Sequence, residues 1–352
     1  MKTDNLSFRI VEITKRNKDN FSDILLEWDE FVYNHPLGNI FQTSYYANIF
    51  SERFLDWYFI ILLEQNEIVG GMLSQVWPYL GFRNYRLATF KSVYGPLILE
   101  KEEYEPIVIR SMFNKVIKIK PLQHIILTSS YRHSEEIKNL GYSEVHHAIK
   151  GTFIIDLRKS EKELWRSLEK RCRHAIKRAQ KLGVRIVKMN RDFSPYLYYR
   201  IHLETARRLN ITPNPLSFYT SIWRNLAGKF ADFYFALFDN KPIAAAIIFK
   251  YRNTAYYYSS ALLKEFKNTN AMNLLIWNSL LVLKNDGFKF FDMLFHPGKN
   301  DTESPEYGLY IFKRSFGGYE IPVYHCIQTF SPESFKKIVD LLFNLYKTIM
   351  IQ

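Results

Sequence analysis

Cysteine is nearly missing from this chain: only Cys172 and Cys326 occur in 352 residues. Two thiols so far apart build no disulfide framework, and neither sits in a Cys-x-x-Cys pair, which excludes a stapled secreted scaffold. The nine histidines include the neighbours His146 and His147, but no His-x-x-x-His spacing and no His/Cys cluster, so no metal site is expected. Runs of about 18 apolar residues are absent, which argues against a spanning helix. The opening residues, MKTDNLSFRI, lack the apolar core of a secretory signal. The expectation is a reduced, soluble, cytoplasmic protein. Acidic residues are also in deficit, 35 against 48 Lys and Arg, which leaves a net charge of +13. That excess predicts a polyanionic partner: nucleic acid, the anionic inner face of a membrane, or a phosphorylated substrate.

What is present is ordinary globular material. Hydrophobic residues make up 47% and charged residues 24%, and 28 Phe with 24 Tyr supply ample core. The length suits two domains or one duplicated unit.

The duplication can be read along the chain. The N-terminal part has a strand at Phe8–Ile13, an amphipathic stretch from Phe21 to Tyr33 and a strand at Trp57–Leu63. A polar pair, Gln65-Asn66, then separates two apolar runs, as a hairpin requires. About 175 residues later the pattern returns as Phe233–Phe238, a turn at Asp239-Asn240-Lys241, and Pro242–Phe249. Each hairpin is followed by an aromatic strand, around Val76–Tyr79 and Ala255–Ser260. A helical stretch follows, Tyr104–Ile119 and Asn270–Lys284, then a buried-looking strand, His124–Thr128 and Lys289–Met293. Each half closes on a short helix, Ser134–Leu140 and Gly308–Phe316. Five elements recurring in order predict a duplicated α/β unit. We place its domains at 1–150 and 151–330, with a C-terminal amphipathic helix at 331–352.

Between the halves lies the densest charge. From Arg158 to Arg185 there are eleven Lys and Arg against three Glu, a local net of +8. Ser160 with Glu163 fits a capping box. Leu164, Trp165, Leu168, Cys172, Ile176, Ala179 and Leu182 recur at helical spacing, and Gly183 fits a stop, so one helix is expected over this stretch. Its charged face has three readings, a solvated surface, a nucleic-acid contact or a lipid contact. Arg166, Lys170, Arg173 and Lys177 are the candidate polyanion-binding residues.

The run Gly151-Thr152-Phe153-Ile154-Ile155-Asp156-Leu157, continued by Ser160-Glu161-x-Glu163-Leu164-Trp165 and by Arg173-x-x-Ile176-x-Arg178-Ala179, is distinctive. So is Tyr310-x-Phe312-Lys313-x-x-Phe316-Gly317-Gly318, preceded by Asp292 and Gly298. Tyr256–Ala261, Asn273-Leu274-Leu275-x-Trp277 and Ile40–Tyr46 add intermediate agreement. Together these segments resemble the Fem family of peptidoglycan-bridge aminoacyltransferases and its GNAT-like relatives. The resemblance implies an α/β fold of two tandem GNAT-like domains, mixed sheets flanked by helices, with a cleft between them. It implies an acyltransferase that forms an amide on an amine of a cell-envelope, nucleotide-linked or lipid-linked precursor. Aminoacyl-tRNA is the leading donor, with acyl-CoA and a non-catalytic polyanion binder as alternatives, and no cofactor is implied. The segment from 158 to 185 is too short for the long helical arm of some members.

Ester aminolysis passes through an oxyanion, so a placed cation is the most useful element. By the resemblance that cation is Lys313, with Phe312 packing beneath it. The attacking amine must lose a proton, and Asp292, at a strand end, is the candidate acceptor, with His296 nearby. Arg207 and Arg208 stand where relatives carry a substrate-binding Arg, suited to phosphate by its forked donors. Alternation puts Tyr256 and Tyr258 on one strand face, where they might instead pack the core. A glycine-rich diphosphate loop of the acyl-CoA kind is missing: the nearest stretch, Gln180–Arg185, breaks the pattern and lies at a helix end.

Overall fold

The computed structural model describes residues 8–50, 56–78, 88–92, 98–119, 122–129, 143–144, 150–189, 195–209, 211–296, 302 and 307–329. The expected helices at Ser134–Leu140 and 331–352 lie outside the described residues. The chain divides into two compact units. The first holds the residues up to Ile149 with the strand that runs on from Val323, and the second holds Lys150–Pro322.

In the first unit the order is β1 (Phe8–Thr14), α1 (Ser22–Asn34), α2 (Ser44–Asn48), β2 (Asp56–Glu64), β3 (Glu67–Pro78), β4 (Ala88–Ser92), β5 (Ile98–Leu99), α3 (Glu105–Ile119), β6 (Leu122–Ser129) and β7 (Ser143–Glu144). The second unit opens with β8 (Lys150–Asp156), α4 (Glu161–Ser167), α5 (Lys170–Lys181), β9 (Arg185–Lys188), α6 (Pro195–Leu209) and α7 (Leu216–Leu226). It continues with β10 (Ala231–Phe238), β11 (Lys241–Tyr251), β12 (Thr254–Leu262), α8 (Ala271–Asn285), β13 (Phe290–Asp292), α9 (Tyr307–Arg314) and β14 (Tyr319–Thr329).

The sheets repeat the same plan. One runs β1-β2-β3-β4-β6 and is closed by the far half of β14, antiparallel on β6 from Tyr324. The other runs β9-β10-β11-β12-β13-β8. In each, a hairpin leads to a third strand, and a helix carries the chain back to a parallel neighbour, β6 on β4 and β13 on β12. The hairpins turn on Gln65-Asn66 and Asp239-Asn240, all four at positive φ, the mirror-type turn that matches strand twist. One expected element differs: residues 76–78 are not a separate strand but the end of β3.

The Ile40–Tyr46 segment is a tied corner. Gln42 accepts from Leu73 N at 2.8 Å through Oε1, and its carbonyl accepts from Trp28 Nε1 at 2.6 Å. The buried Asp29 carboxylate accepts from Ser44 N at 2.7 Å and from the Ser44 hydroxyl. Burial pushes the Asp29 carboxyl up to about 6, against those hydrogen bonds.

The helix expected from Ser160 to Val184 is two helices. The capping box forms, with Ser160 N donating to Glu163 Oε2 at 2.8 Å. The chain then leaves helical geometry at Leu168, where ψ is 141°. Apolar residues four apart precess by about 40° per step on a straight helix, so a stripe from Leu164 to Ile176 would wind away from the core. Breaking at Leu168 resets it, and Leu164, Leu168, Cys172, Ile176 and Ala179 are all buried in one core. Tertiary partners satisfy the break: Glu169 N donates to Ser315 O at 2.9 Å, and Arg173 Nη1 donates to the carbonyls of Leu168 and Arg166. Leu182, counted in the apolar stripe, is exposed.

The same break explains a glycine. Gly317 lies against it at φ +77°, and a Cβ there would stand 2.1 Å from Ser167 O. Gly317→Ala therefore meets both a backbone clash and left-handed strain. We expect a loss of about 2 kcal/mol in urea unfolding; an unchanged midpoint would mean that the break does not depend on this contact.

Candidate active site

The site follows from how two parallel strands part. β13 pairs with β12 over only three positions, ending at Tyr256 opposite Asp292. Beyond that point β12 runs on to Leu262, while the chain after Asp292 stays with β8: Met293 N donates to Phe153 O at 2.9 Å and His296 N to Gly151 O at 3.0 Å. A fork opens between the strands, and β12 keeps one unpaired edge along it.

Three side chains shape the point of the fork. Asp292 is buried, its Oδ1 accepting from Leu294 N at 2.7 Å and from the Thr152 hydroxyl. Leu294 has φ +55°, a costly conformation for a branched side chain, and the carboxylate helps to hold it. Lys313, from α9, reaches beneath the turn. Its ammonium donates to Met293 O at 2.5 Å, Phe295 O at 2.7 Å and Leu294 O at 3.3 Å, and stands 5.6 Å from the Tyr257 ring centroid. A buried cation thus sits under a strained turn at the divergence of two parallel strands. A family model described as an Acetyltransferase (GNAT) domain matches residues 166–307.

The second unit carries a GNAT domain. Solved structures extend the likeness over both units. The crystal structure of FemX superposes with a TM-score of 0.67 at 14% identity, covering 94% of this chain and 100% of that one. The C-terminal domain of a putative lysylphosphatidylglycerol synthetase from Agrobacterium fabrum gives 0.59 at 12% identity, over 91% and 96%. A tandem GNAT protein from the clavulanic acid biosynthesis pathway gives 0.59 at 10% identity, over 93% and 99%. At these identities the likeness is one of fold, a tandem GNAT architecture. No curated protein sequence matches the chain.

Within the GNAT domain the remaining candidates fall in distinct places. Tyr256 is buried at the fork, and its phenol is pushed up by burial and by Asp292. A bulge in the β11–β12 pairing passes over Tyr258, whose half-buried ring stacks on Phe249 at 4.0 Å. Phe312 packs edge-on to Phe316 at 5.2 Å. Arg207 and Arg208 are exposed at the end of α6. That end is tied to the far end of β12, because Thr205 Oγ1 donates to Leu262 O at 3.1 Å and accepts from Leu262 N at 3.0 Å. They therefore stand toward the open end of the fork. His296 is buried, stacked on Phe153 at 4.5 Å. Arg166, Lys170 and Lys177 are exposed on α4 and α5, whereas Arg173 is committed to the helix break.

Sequence reasoning passed over two groups. Thr152 binds Asp292 across 140 residues of chain, and no spacing rule could pair them. His202, on the inner face of α6, is buried between Tyr198 and Tyr219, its ring 6.0 Å and 5.1 Å from theirs. Neither of its nitrogens has a hydrogen-bond partner among the described residues, and burial drives the imidazole down to about 4. Among the described residues no His/Cys/Asp/Glu group is placed to hold a metal, and no helix is long and apolar enough to cross a membrane.

Proposed function

We propose that the fork is the site of aminoacyl transfer from tRNA to an amine of a cell-envelope precursor that is nucleotide- or lipid-linked. The fork with the buried Lys313 ammonium at its point carries this reading. Two further observations favour the donor. The connection from β12 to α8, Leu263 to Asn270, contains no glycine and is filled by a 3-10 turn over Lys264–Thr269, so it offers no glycine-rich diphosphate loop. Whole-chain neighbours include FemX and a putative lysylphosphatidylglycerol synthetase.

In this reading the amine nitrogen attacks the ester carbonyl carbon. A C–N bond forms and the carbonyl oxygen becomes an oxyanion, which the Lys313 charge stabilises; the longest of its bonds, to Leu294 O, is the one an oxyanion would displace. Collapse breaks the bond to the ribose oxygen, which leaves with the proton the amine gave up. Asp292 is assigned as the carboxylate that accepts this proton, with Tyr256 and Phe312 supporting the floor. Tyr258 faces the substrate, and Arg207 and Arg208 hold acceptor phosphates.

The test supplies the purified protein with radiolabelled aminoacyl-tRNA or labelled acyl-CoA, each with a nucleotide-linked muramyl peptide as acceptor. Label reaching the peptide from tRNA supports the reading; transfer from acyl-CoA alone overturns the donor assignment. Asp292→Asn keeps an oxygen for Leu294 N but cannot take a proton. It should lower kcat by about 10²-fold or more, with the melting temperature little changed. A kcat near wild type would leave Asp292 as a support for the turn.

A further inference from the structure

The structure sorts the basic segment into cations that are spent and cations that are offered. Arg158 pairs with Asp156, and Arg185 donates to Asn240 Oδ1 at 2.5 Å. Arg171 binds Glu169 and donates to Ile311 O at 2.6 Å, and Arg173 caps the helix break. Glu169 is answered by Arg314 at 2.9 Å as well as by Arg171. The arginines are largely structural. What remains outward on α5 is a row of other residues.

Helical spacing puts Lys170, His174, Lys177 and Lys181 on one line, opposite the buried Cys172, Ile176 and Ala179. All four are exposed, with Arg178 beside them. The row spans eleven residues, about 16 Å at 1.5 Å per residue. Its first end lies at the candidate site: Asn273, in the first turn of α8, donates to Cys172 Sγ at 3.7 Å, and Arg171 is fastened to α9, which carries Lys313.

We propose that this row is the resting surface for the phosphate backbone of a double-helical RNA, such as the stem of the tRNA donor. The proposal rests on the donor assigned above. A double helix presents about one charge per 1.7 Å of axis, so the row faces on the order of ten phosphates. The cations at its core are lysines, point charges suited to a backbone rather than to base edges. A lipid surface fits less well. An interfacial helix needs a free apolar face, and that of α5 is buried in the domain core, leaving no aromatic or aliphatic residue in the row.

The test uses full-length protein, an unacylated RNA duplex, and vesicles of phosphatidylcholine with phosphatidylglycerol. Wild type should bind the duplex, with log Kd linear in log salt. The triple variant Lys170→Gln, Lys177→Gln, Lys181→Gln should bind more weakly, with a slope shallower by about 2.7, three contacts at about 0.9 each. All three positions are exposed, so the variant should melt like wild type. An unchanged slope would overturn the proposal, as would a loss of vesicle binding with RNA binding intact. Unacylated RNA separates this surface from the chemistry. Slope loss in a protein that transfers only from acyl-CoA would remove the donor assignment and leave the RNA surface standing.

Discussion

Lys313→Met should give a protein that still folds at low temperature but is less stable by about 3–5 kcal/mol and transfers about 10²–10³-fold more slowly. The first number follows from the carbonyls of Met293, Leu294 and Phe295, which accept from the ammonium and have no replacement donor in a thioether. Each buried orphan costs about 1–3 kcal/mol, and the turn relaxes in part, so the sum is not reached. The second follows from removing one preorganised charge at a developing oxyanion. Urea unfolding reads the first and single-turnover transfer below the melting temperature reads the second. A folded Met variant with wild-type turnover would remove Lys313 from the chemistry and leave it as the support of a strained turn.

The second large effect is a pH dependence that differs between the units. His202 has a folded pKa of about 4 against an ordinary 6.5. Between those values the unfolded chain binds a proton that the native one refuses, so the second unit is fully favoured above pH 6.5 and loses about 3 kcal/mol as pH falls through 4. Asp29 acts the other way. Its folded value of about 6 lies above the ordinary 3.8, so the native state holds the extra proton. The first unit is favoured below pH 3.8 and loses about 3 kcal/mol as pH rises through 6.

Over pH 4 to 6 the two slopes oppose each other, and global unfolding should look nearly flat. Hydrogen exchange resolved by unit should not: protection should rise with pH in the second unit and fall in the first. His202→Phe should flatten the former and Asp29→Asn the latter. Parallel slopes in both units would show that neither group carries the expected shift.

The distance over which each interaction acts explains what could be read early. The hairpins were legible because Gln65-Asn66 and Asp239-Asn240 are short polar pairs between apolar runs, and such turns are decided by their own residues. The capping box at Ser160 closes over three residues and formed as expected. The helix break at Leu168 was not legible. No proline or glycine marks it, and its partners, Ser315 and Gly317, lie more than 140 residues away. The candidate site divides the same way. Lys313 and Asp292 stood out through a family resemblance, but their geometry did not: an ammonium under three carbonyls depends on a strand leaving its neighbour.

The amino-acid sequence by itself determined the local periods, the duplicated order of strands and helices, the scarcity of thiols and the crowding of positive charge between residues 158 and 185. These properties depend on neighbours a few positions apart. Only the tertiary structure decided which charges are available, turning Arg173 inward while leaving Lys170, Lys177 and Lys181 outside. It also decided that β13 parts from β12 after Asp292. A carbonyl freed by a break or a fork must find a donor, and that donor comes from wherever packing places it, often far along the chain.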